Sequence, residues 1–373
     1  MSFAWAFLSG IEANNTGTGR LMQHLQDVVL KRGKFDGTIV YSPKGQSLTA
    51  EGRAMLAAIP QLVVFHPQLI GMRDTLMLMQ DRATRALPSH LYLLDNSFFC
   101  VRSYNHLDHE GTACMRCVGP GQALNATLNG CQPWPERDPF ASVFIAGLEE
   151  LVRSGAVRLL AQTQSQIALA RRQFGETADI AHVGLWCADW TTYVDAFTAS
   201  GRAEGDAAPA PPAYDVVYHG SRDLAKGIGW VLALAARTPE LRYLIPIDRG
   251  AVNVEAPPNV AVAAMRWENG LHEAVRSARL VLAPSLWSSP CEGALIKSIL
   301  IAKATAVVDV PSAFSAEIPS NVVARFSQDP DEAAQTLRAA LAQNWRPDPA
   351  ARAAWVSRFR AFNEGVAERL LPT

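Results

Sequence analysis

The chain has 373 residues, of which 49% are hydrophobic and 18% are charged, and its formal net charge is −1. This composition is typical of a globular protein. The lysines and arginines are scattered along the sequence, so nothing predicts the basic surface of a nucleic-acid binder. The chain is longer than an ordinary domain with a single hydrophobic core, so we expect two domains.

The first ten residues, MSFAWAFLSG, are apolar but contain no basic residue and no convincing cleavage site. We interpret them as a first buried strand rather than as a signal peptide. The longest apolar segment, residues 295 to 308, is interrupted by Lys297 and Lys303, and no uncharged run reaches the ~20 residues that span a bilayer. We therefore expect a cytoplasmic protein, with peripheral contact at the inner face of a membrane as an open alternative.

Runs typical of strands and of helices alternate through the first half of the chain. After the strand FAWAFL, Leu21, Leu25 and Val28 recur at helical spacing. The β-rich runs GTIVY, LVVFH and HLYLLD follow, and a helix is predicted over residues 141 to 154. The strand VRLLAQ and the helix SQIALARRQFG, which ends at Gly175, complete this half.

A linker and a second alternating series make up the rest of the chain. Residues 200 to 213, SGRAEGDAAPAPPA, are rich in Ala, Pro and Gly, which predicts an exposed flexible linker. Then come YDVVYHG, KGIGWVLALAAR, RYLIPI, LHEAVRSA, RLVLAP, EGALIKSILIAKA and TAVVDV. Two helix-like segments end the chain, the second near residues 351 to 371.

This alternation predicts parallel sheets that are covered by helices on both faces. Two such series predict an α/β chain with two doubly wound domains. Because ligands of such sheets bind outside the carboxyl ends of the strands, we expect the functional site at strand-to-helix junctions.

The first unusual junction is NNTGTGR, residues 14 to 20, between the first strand and the first helix. Gly17 and Gly19 let the backbone approach a ligand closely, and the free N–H groups of a helix that starts beside Thr18 favour an anion or a polar sugar. A plain tight turn with a helix cap is the alternative.

The second junction is YHGSRDLAKGIGW, in which Gly220 and Ser221 follow a strand. Arg222 and Lys226 lie before the next helix and can clamp a diphosphate, the arginine in a bidentate manner and the lysine as a point charge. A solvated loop with two surface cations is the alternative.

The third junction is SLWSSPCEGALIKS, residues 285 to 298, where a strand ends and Glu292 begins a helix. Gly293 and the free amides up to Leu295 suit a phosphate, whereas Glu292 alone is also an ordinary residue for a first helical turn. Lys297 lies in an otherwise apolar helix, and its stem can extend along apolar surface to reach water.

Four of the six cysteines lie within 32 residues, in the pattern C-x13-C-x2-C-x13-C, with two histidines between the first two. Disulfides are not expected in a cytoplasmic protein. Four thiols around a CxxC pair predict a closed, tetrahedral structural zinc site, although the spacing is not that of a standard zinc finger. An iron–sulfur cluster and metal-free reduced thiols are the alternatives. The predicted ligands are Cys100, Cys114, Cys117 and Cys131.

Together these junctions resemble the glycosyltransferases of the GT-B fold, in particular the retaining enzymes of the family 4 type. In that family the second domain opens with a strand, a Gly-Arg turn, and Lys-Gly before a helix, as in HGSRDLAKG here. The resemblance implies Arg222 and Lys226 as the diphosphate clamp, with Gly220 and Ser221 in the same turn. Counting back from the lysine places Ser221 where the family has its arginine.

The family then has a strand that ends in Pro-Ser, a short loop, and an acidic motif of Glu, seven residues and Glu. LAPSLWSSPCEGALIKSILIAKATAVV has this layout, with Glu292 and Gly293 as the first Glu-Gly and Ala294 and Leu295 following. The second glutamate, which holds the nucleotide ribose in the family, is replaced by Leu300 or, with a one-residue shift, by Ile299.

The first half resembles the family more loosely. LYLLDNSFFCVRS is similar to a stretch of His-Asp, aromatic residues and Cys-Pro-Arg, with Asp95 and Arg102 retained and Leu94 and Val101 replacing the histidine and proline. The TGTGR loop lies where the family has a glycine-rich loop beside the cleft. His66, at the end of the strand VVFH, is expected to face the acceptor, with a packed or capping histidine as the alternative.

The resemblance implies two Rossmann-like domains that face a central cleft. They are an acceptor-side domain at residues 1–185, with a Cys-rich insertion at about 100–131, and a nucleotide-sugar domain at residues 186–350. Residues 351–373 would form a helix that crosses back to the first domain.

The implied activity is hexosyltransferase-like transfer, with retention, from a nucleotide sugar to a saccharide or lipid-linked acceptor in bacterial surface polysaccharide or glycoconjugate synthesis. Glu292, Asp95 and His66 are the candidate catalytic residues, and Lys297 is a further candidate for neutralising the leaving diphosphate. The nucleotide sugar is the implied cofactor, structural zinc is an open addition, and no metal is expected at the reaction centre. The alternatives are a non-catalytic GT-B partner of a glycan assembly enzyme and a nucleotide-sugar epimerase.

Overall fold

The computed structural model describes residues 4–14, 17–28, 37–41, 48–107, 111–134, 139–186, 213–248 and 255–370. Apart from its last residue, the predicted linker at 200 to 213 lies outside these ranges. The chain forms two compact units. The first comprises Met1–Asn105, Cys114–Ala188 and Ala361–Thr373, and the second comprises His106–Ala113 and Asp189–Arg360.

The first unit is built on a parallel six-stranded sheet with the order β2-β1-β3-β4-β5-β6. Alternate residues of its strands enter different cores: Leu62 and Val64 of β3 pack on one face, and Val63 and Phe65 on the other. Burial on both faces explains why these strands are continuously apolar. The strands are β1 (Trp5–Ser9), β2 (Gly37–Tyr41), β3 (Gln61–Phe65), β4 (Ser89–Tyr92), β5 (Val157–Ala161) and β6 (Ile180–His182).

Helices cover both faces of this sheet. The helix predicted at 141 to 154 is confirmed, as is the helix that ends at Gly175, where φ is +96°. The helices of the first half are α1 (Gly17–Gln26), α2 (Ala50–Ala58), α3 (Pro67–Ile70), α4 (Met72–Thr84), α5 (Asn125–Leu128), α6 (Ala141–Arg153) and α7 (Gln164–Phe174).

The second unit repeats the plan, with a parallel sheet of order β12-β11-β10-β7-β8-β9. Val216 and Tyr218 of β7 pack on one face and Val217 on the other. Its strands are β7 (Val216–Tyr218), β8 (Tyr243–Ile245), β9 (Val260–Val262), β10 (Leu280–Leu282), β11 (Thr305–Val308) and β12 (Ala324–Phe326). The later helices are α8 (Ile228–Arg237), α9 (Leu271–Ser277), α10 (Gly293–Ile301), α11 (Pro330–Ala342), α12 (Pro349–Glu364) and α13 (Val366–Leu370).

Each sheet has a position where the strand order reverses, and ligands of doubly wound sheets bind there, at the carboxyl ends of the strands. In the first sheet this position lies between β1 and β3, and in the second it lies between β7 and β10. The predicted junctions follow these strands. Across the described ranges, none of the helices is both long and apolar enough to cross a membrane.

Candidate functional site

The turn after β7 is closed by the last tyrosine of that strand. The Tyr218 hydroxyl donates to the carbonyl oxygens of Ser221 (2.6 Å) and Lys226 (3.2 Å). Burial, with a smaller contribution from Glu292, raises the pKa of Tyr218, so the phenol keeps its proton and remains a donor. Any side chain at Gly220 would overlap the Tyr218 ring. The glycine and the tyrosine therefore fix the path of the chain to Lys226.

The loop after β10 meets this turn. The backbone N–H of Leu286 donates to the carbonyl oxygen of Ala225 (2.8 Å). The Lys226 ammonium lies 2.5 Å from Glu292 Oε1 and 4.7 Å from the ring centroid of Trp287, and Ser285 Oγ also donates to Glu292 Oε1. The Lys226 and Glu292 side chains are only 18% and 7% exposed, so their attraction is weakly screened by water. A lysine, a carboxylate and a hydroxyl thus converge where the second sheet reverses its order.

Glu292 is not the helix cap that its sequence position allows. It occupies the N-cap position of α10, but its side chain makes no capping hydrogen bond and instead turns to Lys226 and Ser285. Gly293 is exposed, and a Cβ there would meet nothing within 4 Å. The first N–H groups of α10 therefore remain available for an anion beside a buried ion pair.

A second polar cluster lies deeper at the same junction. His219 Nδ1 is 2.8 Å from Ser298 Oγ, and Ser298 Oγ donates to the carbonyl oxygen of Ala294 (2.8 Å). The hydroxyl proton is thereby used, so Nδ1 is the protonated nitrogen of the imidazole. Burial, with a smaller contribution from Lys297, lowers the pKa of His219 to about 3 and keeps the ring neutral. Trp267 stacks on His219 at 5.3 Å, and the Lys297 ammonium lies 4.9 Å from the Trp267 ring centroid.

The remaining predicted donor residues are placed less favourably. Ser221 and Arg222 are exposed, and the Arg222 guanidinium has no hydrogen bond or ion pair within the described chain. Ile299 and Leu300, the residues that replace the second glutamate, are 2% and 1% exposed and belong to the core. Lys297 lies beside Trp267 rather than beside Lys226. The structure thus brings Lys226 and Glu292 together and leaves the predicted arginine outside their cluster.

A separate polar cluster lies where the first sheet reverses its order. His66, directly after β3, has φ 54° and ψ 63°, a left-handed conformation that is uncommon outside glycine. Its Nε2 atom is 3.1 Å from Thr18 Oγ1 at the start of α1. Gln68 Nε2 donates to Asp95 Oδ2 (2.5 Å), and the backbone N–H of Ser97 donates to Asp95 Oδ1 (2.9 Å). The left-handed residue thus aims an imidazole into a site that holds a buried carboxylate.

Burial shifts both ionisable groups of this cluster towards their neutral forms. It lowers the pKa of His66 and raises the pKa of Asp95, while the attraction between the two opposes each shift. The hydrogen bonds from Gln68 and Ser97 also oppose the shift of Asp95. A histidine and an aspartate with opposing shifts are suited to share or transfer a proton.

The other predicted acceptor-side residues surround this cluster. Gly17 and Thr18 begin α1, and a side chain at Gly19 would overlap Asn14. Arg102 is half-buried and precedes Ser103, another left-handed residue (φ 64°), whose hydroxyl accepts a hydrogen bond from Gln68 (3.4 Å).

The structure does not support the predicted zinc site. The four cysteines are reduced thiols that lie close enough to act electrostatically on one another. Burial, then Cys114 and Cys131, raise the pKa of Cys117 to about 11. Burial and the same neighbours also raise the pKa of Cys100. Within the described ranges, however, no three His, Cys, Asp or Glu side chains are grouped as metal ligands. Cys117 instead lies in the apolar core of the first unit, and Cys100 and Cys131 pack against that core.

Sequence reasoning missed Ser285, Trp267 and Gln68. Ser285 is the serine of the Pro-Ser that follows β10, so the motif already contained it. Gln68 lies two residues after His66 in an apolar turn, where a buried amide is itself a signal for a polar partner. No local signal distinguishes Trp267, because its contacts with His219 and Lys297 come from distant parts of the sequence.

The chain has the GT-B fold of glycosyltransferases. It contains two parallel six-stranded sheets, each flanked by helices and each with one reversal of strand order. No protein-family model and no curated protein matches the sequence. Solved structures do match, and the fold therefore rests on three-dimensional similarity.

Anabaena Alr3699/HepE in complex with UDP is similar to this chain with a TM-score of 0.60 and 12% sequence identity, over 99% of each chain. The same protein in complex with UDP-glucose gives a TM-score of 0.58 at 12% identity, over 98% of this chain and 99% of that chain. Sucrose-phosphate synthase from Thermosynechococcus elongatus gives 0.59 at 11% identity, over 98% of this chain and 97% of that chain. At such identities the likeness establishes the fold and leaves the activity to the site.

Proposed function

We propose that this chain is a glycosyltransferase that takes a sugar from a nucleotide-sugar donor. The observation that carries the proposal is the cluster of Lys226, Glu292 and Ser285 at the carboxyl ends of β7 and β10, beside the open start of α10. UDP is the first nucleotide to consider, because Alr3699/HepE is a UDP complex of the same fold.

The reaction breaks the bond between the anomeric carbon of the sugar and the diphosphate oxygen and forms a bond from that carbon to an acceptor hydroxyl oxygen. Negative charge develops on the leaving diphosphate, and Lys226 with the first N–H groups of α10 can neutralise it. Both described contacts of Glu292 fall on Oε1. Its Oε2 is therefore the atom that we assign to accept a hydrogen bond from a hydroxyl of the donor sugar.

We assign the acceptor to the first unit, at His66 and Asp95. Their opposing pKa shifts suit them to orient an acceptor hydroxyl and to receive its proton. Following the resemblance to family 4-type enzymes, we propose retention at the anomeric carbon and a saccharide or lipid-linked acceptor in surface polysaccharide or glycoconjugate synthesis.

Calorimetric titration of the full chain with UDP tests the diphosphate site. Lys226→Ala should weaken UDP binding by roughly 10- to 100-fold, the usual effect of losing a charged hydrogen bond. Arg222→Ala should have a smaller effect, because this exposed guanidinium is not yet held in place. Arg237→Ala, at the far end of α8, removes an exposed cation as a matched control and should change nothing. Unchanged UDP affinity in Lys226→Ala would show that Lys226 does not bind the diphosphate.

One observation favours a second function, that of a non-catalytic binding partner of a glycan assembly enzyme. After Glu292 there is no further carboxylate on α10, and Ile299 and Leu300 are buried. A donor site without a second acidic group can bind a nucleotide sugar without transferring its sugar.

Release of the nucleoside diphosphate from a panel of nucleotide sugars, with and without saccharide acceptors, separates the two functions. A glycosyltransferase should release UDP or another nucleoside diphosphate and lose most turnover in Glu292→Gln. Retained UDP binding without turnover of any donor would favour the binding partner.

A further inference from the structure

Ser285 is a buried serine whose hydroxyl contacts the carboxylate of the donor site. It is 8% exposed, and its Oγ atom donates to Glu292 Oε1. The backbone N–H of Ser285 donates to the carbonyl oxygen of Ala283 (3.2 Å), and the N–H of Leu286 donates to that of Ala225 (2.8 Å). A buried hydroxyl on a backbone that is fixed in this way is suited to orient the side chain that it contacts.

Glu292 occupies a position from which its carboxylate could close the start of α10. It is the N-cap residue of this helix, and N-cap side chains ordinarily accept from the N–H groups of the first helical turn. The positive end of the helix dipole attracts a carboxylate to the same place. The Glu292 side chain makes no such bond, because its described contacts, with Ser285 and Lys226, both fall on Oε1. The carboxylate is therefore held away from the helix that it precedes.

The first turn of α10 stays open as a result. The N–H of Ile296 donates to the carbonyl oxygen of Glu292 (3.1 Å), which is the first backbone hydrogen bond of the helix. The N–H groups of Gly293, Ala294 and Leu295 precede this bond, and none of them donates to another group in the described part of the chain. A carboxylate and a diphosphate would compete for these three donors, because both are anions.

Lys226 alone does not fix the orientation of the carboxylate. Its ammonium is a compact charge on a flexible stem, and it attracts a carboxylate from many directions. In the proposed function the same ammonium also binds the diphosphate, so its hold on Glu292 weakens when the donor arrives. The Ser285 hydroxyl is neutral and buried, and it is the contact that stays with Glu292 at that moment.

We propose that Ser285 is a positioning residue, which holds Glu292 off the first amides of α10 and keeps them open for the diphosphate of the donor. This inference rests on the proposed function and adds a residue to it, because Ser285 acts through Glu292 and not on the donor itself. Without the hydroxyl, the carboxylate turns to α10, occupies its first N–H groups and repels the phosphates. The serine thus determines which of two anions, Glu292 or the diphosphate, takes the start of the helix.

Calorimetric titration with UDP of the full wild-type chain and its variants tests the proposal. Ser285→Ala should weaken UDP binding roughly tenfold, because the released carboxylate competes for the α10 amides. The double variant Ser285→Ala/Glu292→Gln should regain most of the lost affinity, since a neutral amide is not drawn to the helix start and does not repel phosphate. A serine with a merely structural role predicts no such recovery, because the second substitution restores no packing.

Ser288→Ala is the matched control. Ser288 is a buried serine of the same loop, and its Oγ atom lies 2.6 Å from Ser312 Oγ. The control loses a comparable hydrogen bond and should bind UDP as the wild type does. The proposal is overturned if Ser285→Ala binds UDP as tightly as the wild type, or if the double variant binds it as weakly as Ser285→Ala.

Urea unfolding separates a failure of this inference from a failure of the proposed function. It is measured on the wild type, Ser285→Ala, Glu292→Gln and the double variant, which form a double-mutant cycle. If the wild-type chain binds no UDP, the proposed function fails at this site, and the unfolding data decide the inference. Non-additive losses in the free energy of unfolding would support the hold of Ser285 on Glu292, whereas additive losses would overturn it.

Discussion

Gly227 holds the turn after β7 against the loop after β10, and replacing it with alanine should separate the two. Gly227 precedes α8 with φ +85°, in the left-handed region. A Cβ at this position would overlap the carbonyl oxygen of Pro284 and lie 3.0 Å from Pro284 Cγ. Pro284 immediately precedes Ser285, so the close approach of these two backbones sets the distance between Lys226 and Glu292.

Two terms make up the expected loss of stability in Gly227→Ala. The left-handed conformation costs an alanine about 1–2 kcal/mol. Forcing a methyl group against a backbone carbonyl in a packed interior costs about 1–3 kcal/mol more. We expect a loss of about 3 kcal/mol in the free energy of unfolding, or ~6–12 °C in Tm for a domain of this size.

Two matched glycines separate these terms in urea unfolding of the full chain, followed by tryptophan fluorescence. Gly270→Ala adds a methyl group at φ +110°, where Met265 Cε is the nearest atom outside the adjoining residues at 3.8 Å. It should therefore lose only the backbone term of about 1–2 kcal/mol. Gly229→Ala lies inside α8 with only an ordinary 3.6 Å contact and should be neutral or stabilising by about 0.5–1 kcal/mol. If Gly227→Ala unfolds no earlier than Gly270→Ala, the close approach to Pro284 is refuted.

Three further predictions concern ionisable groups. Lys226→Met and Glu292→Gln should each lower the free energy of unfolding. A double-mutant cycle of these two substitutions, measured by urea unfolding, should give an interaction energy of about 2 kcal/mol. Additive effects of the two substitutions would contradict the buried ion pair. The pKa of His219 is about 3 in the folded chain against 6.5 when unfolded, so only the unfolded state gains a proton as the pH falls below 6.5. Stability should therefore drop by about 2 kcal/mol between pH 7 and 5 because of this residue, and His219→Asn should lose that part of the pH dependence in urea titrations at both pH values. The pKa of Cys117 is about 11 in the folded chain instead of 9, so less of its thiol is ionised at pH 8. Alkylation of Cys117 by iodoacetamide at pH 8, followed by mass spectrometry, should therefore be roughly 100-fold slower in the folded chain than in the chain unfolded by urea. Equal rates in the two states would argue against a buried thiol.

The sequence was sufficient to predict the alternation of strands and helices and the junctions that carry Lys226 and Glu292. Both depend on local signals, namely apolar runs buried on two faces and glycines at tight turns. The partner of Glu292 was not predictable in this way. A first-turn glutamate has an ordinary capping role, and only the approach of the β7 and β10 loops turns its carboxylate to Lys226.

Two helices of the first unit, α2 and α4, lacked a clear sequence signal. In α2 only Leu56 and Ala57 are buried, so an apolar stripe is nearly absent. In α4 the buried side includes Arg82, which donates to the carbonyl oxygens of Leu56 (2.7 Å) and Pro88 (2.6 Å). An arginine that serves as an internal donor interrupts the pattern by which a helix is recognised. The cysteine spacing, likewise, shows proximity along the chain but cannot give the geometry of a metal site.

The end of the described chain has a consequence for the order in which the protein forms on the ribosome. Val366, Ala367 and Leu370 pack in one core with Phe7 and Leu21, and Asn363 Oδ1 accepts from the backbone N–H of Leu185 (2.6 Å). The first unit therefore needs residues that are translated after the entire second unit. All six strands of the first sheet emerge before the second unit, but the core that α13 completes can close only after the second unit has been translated.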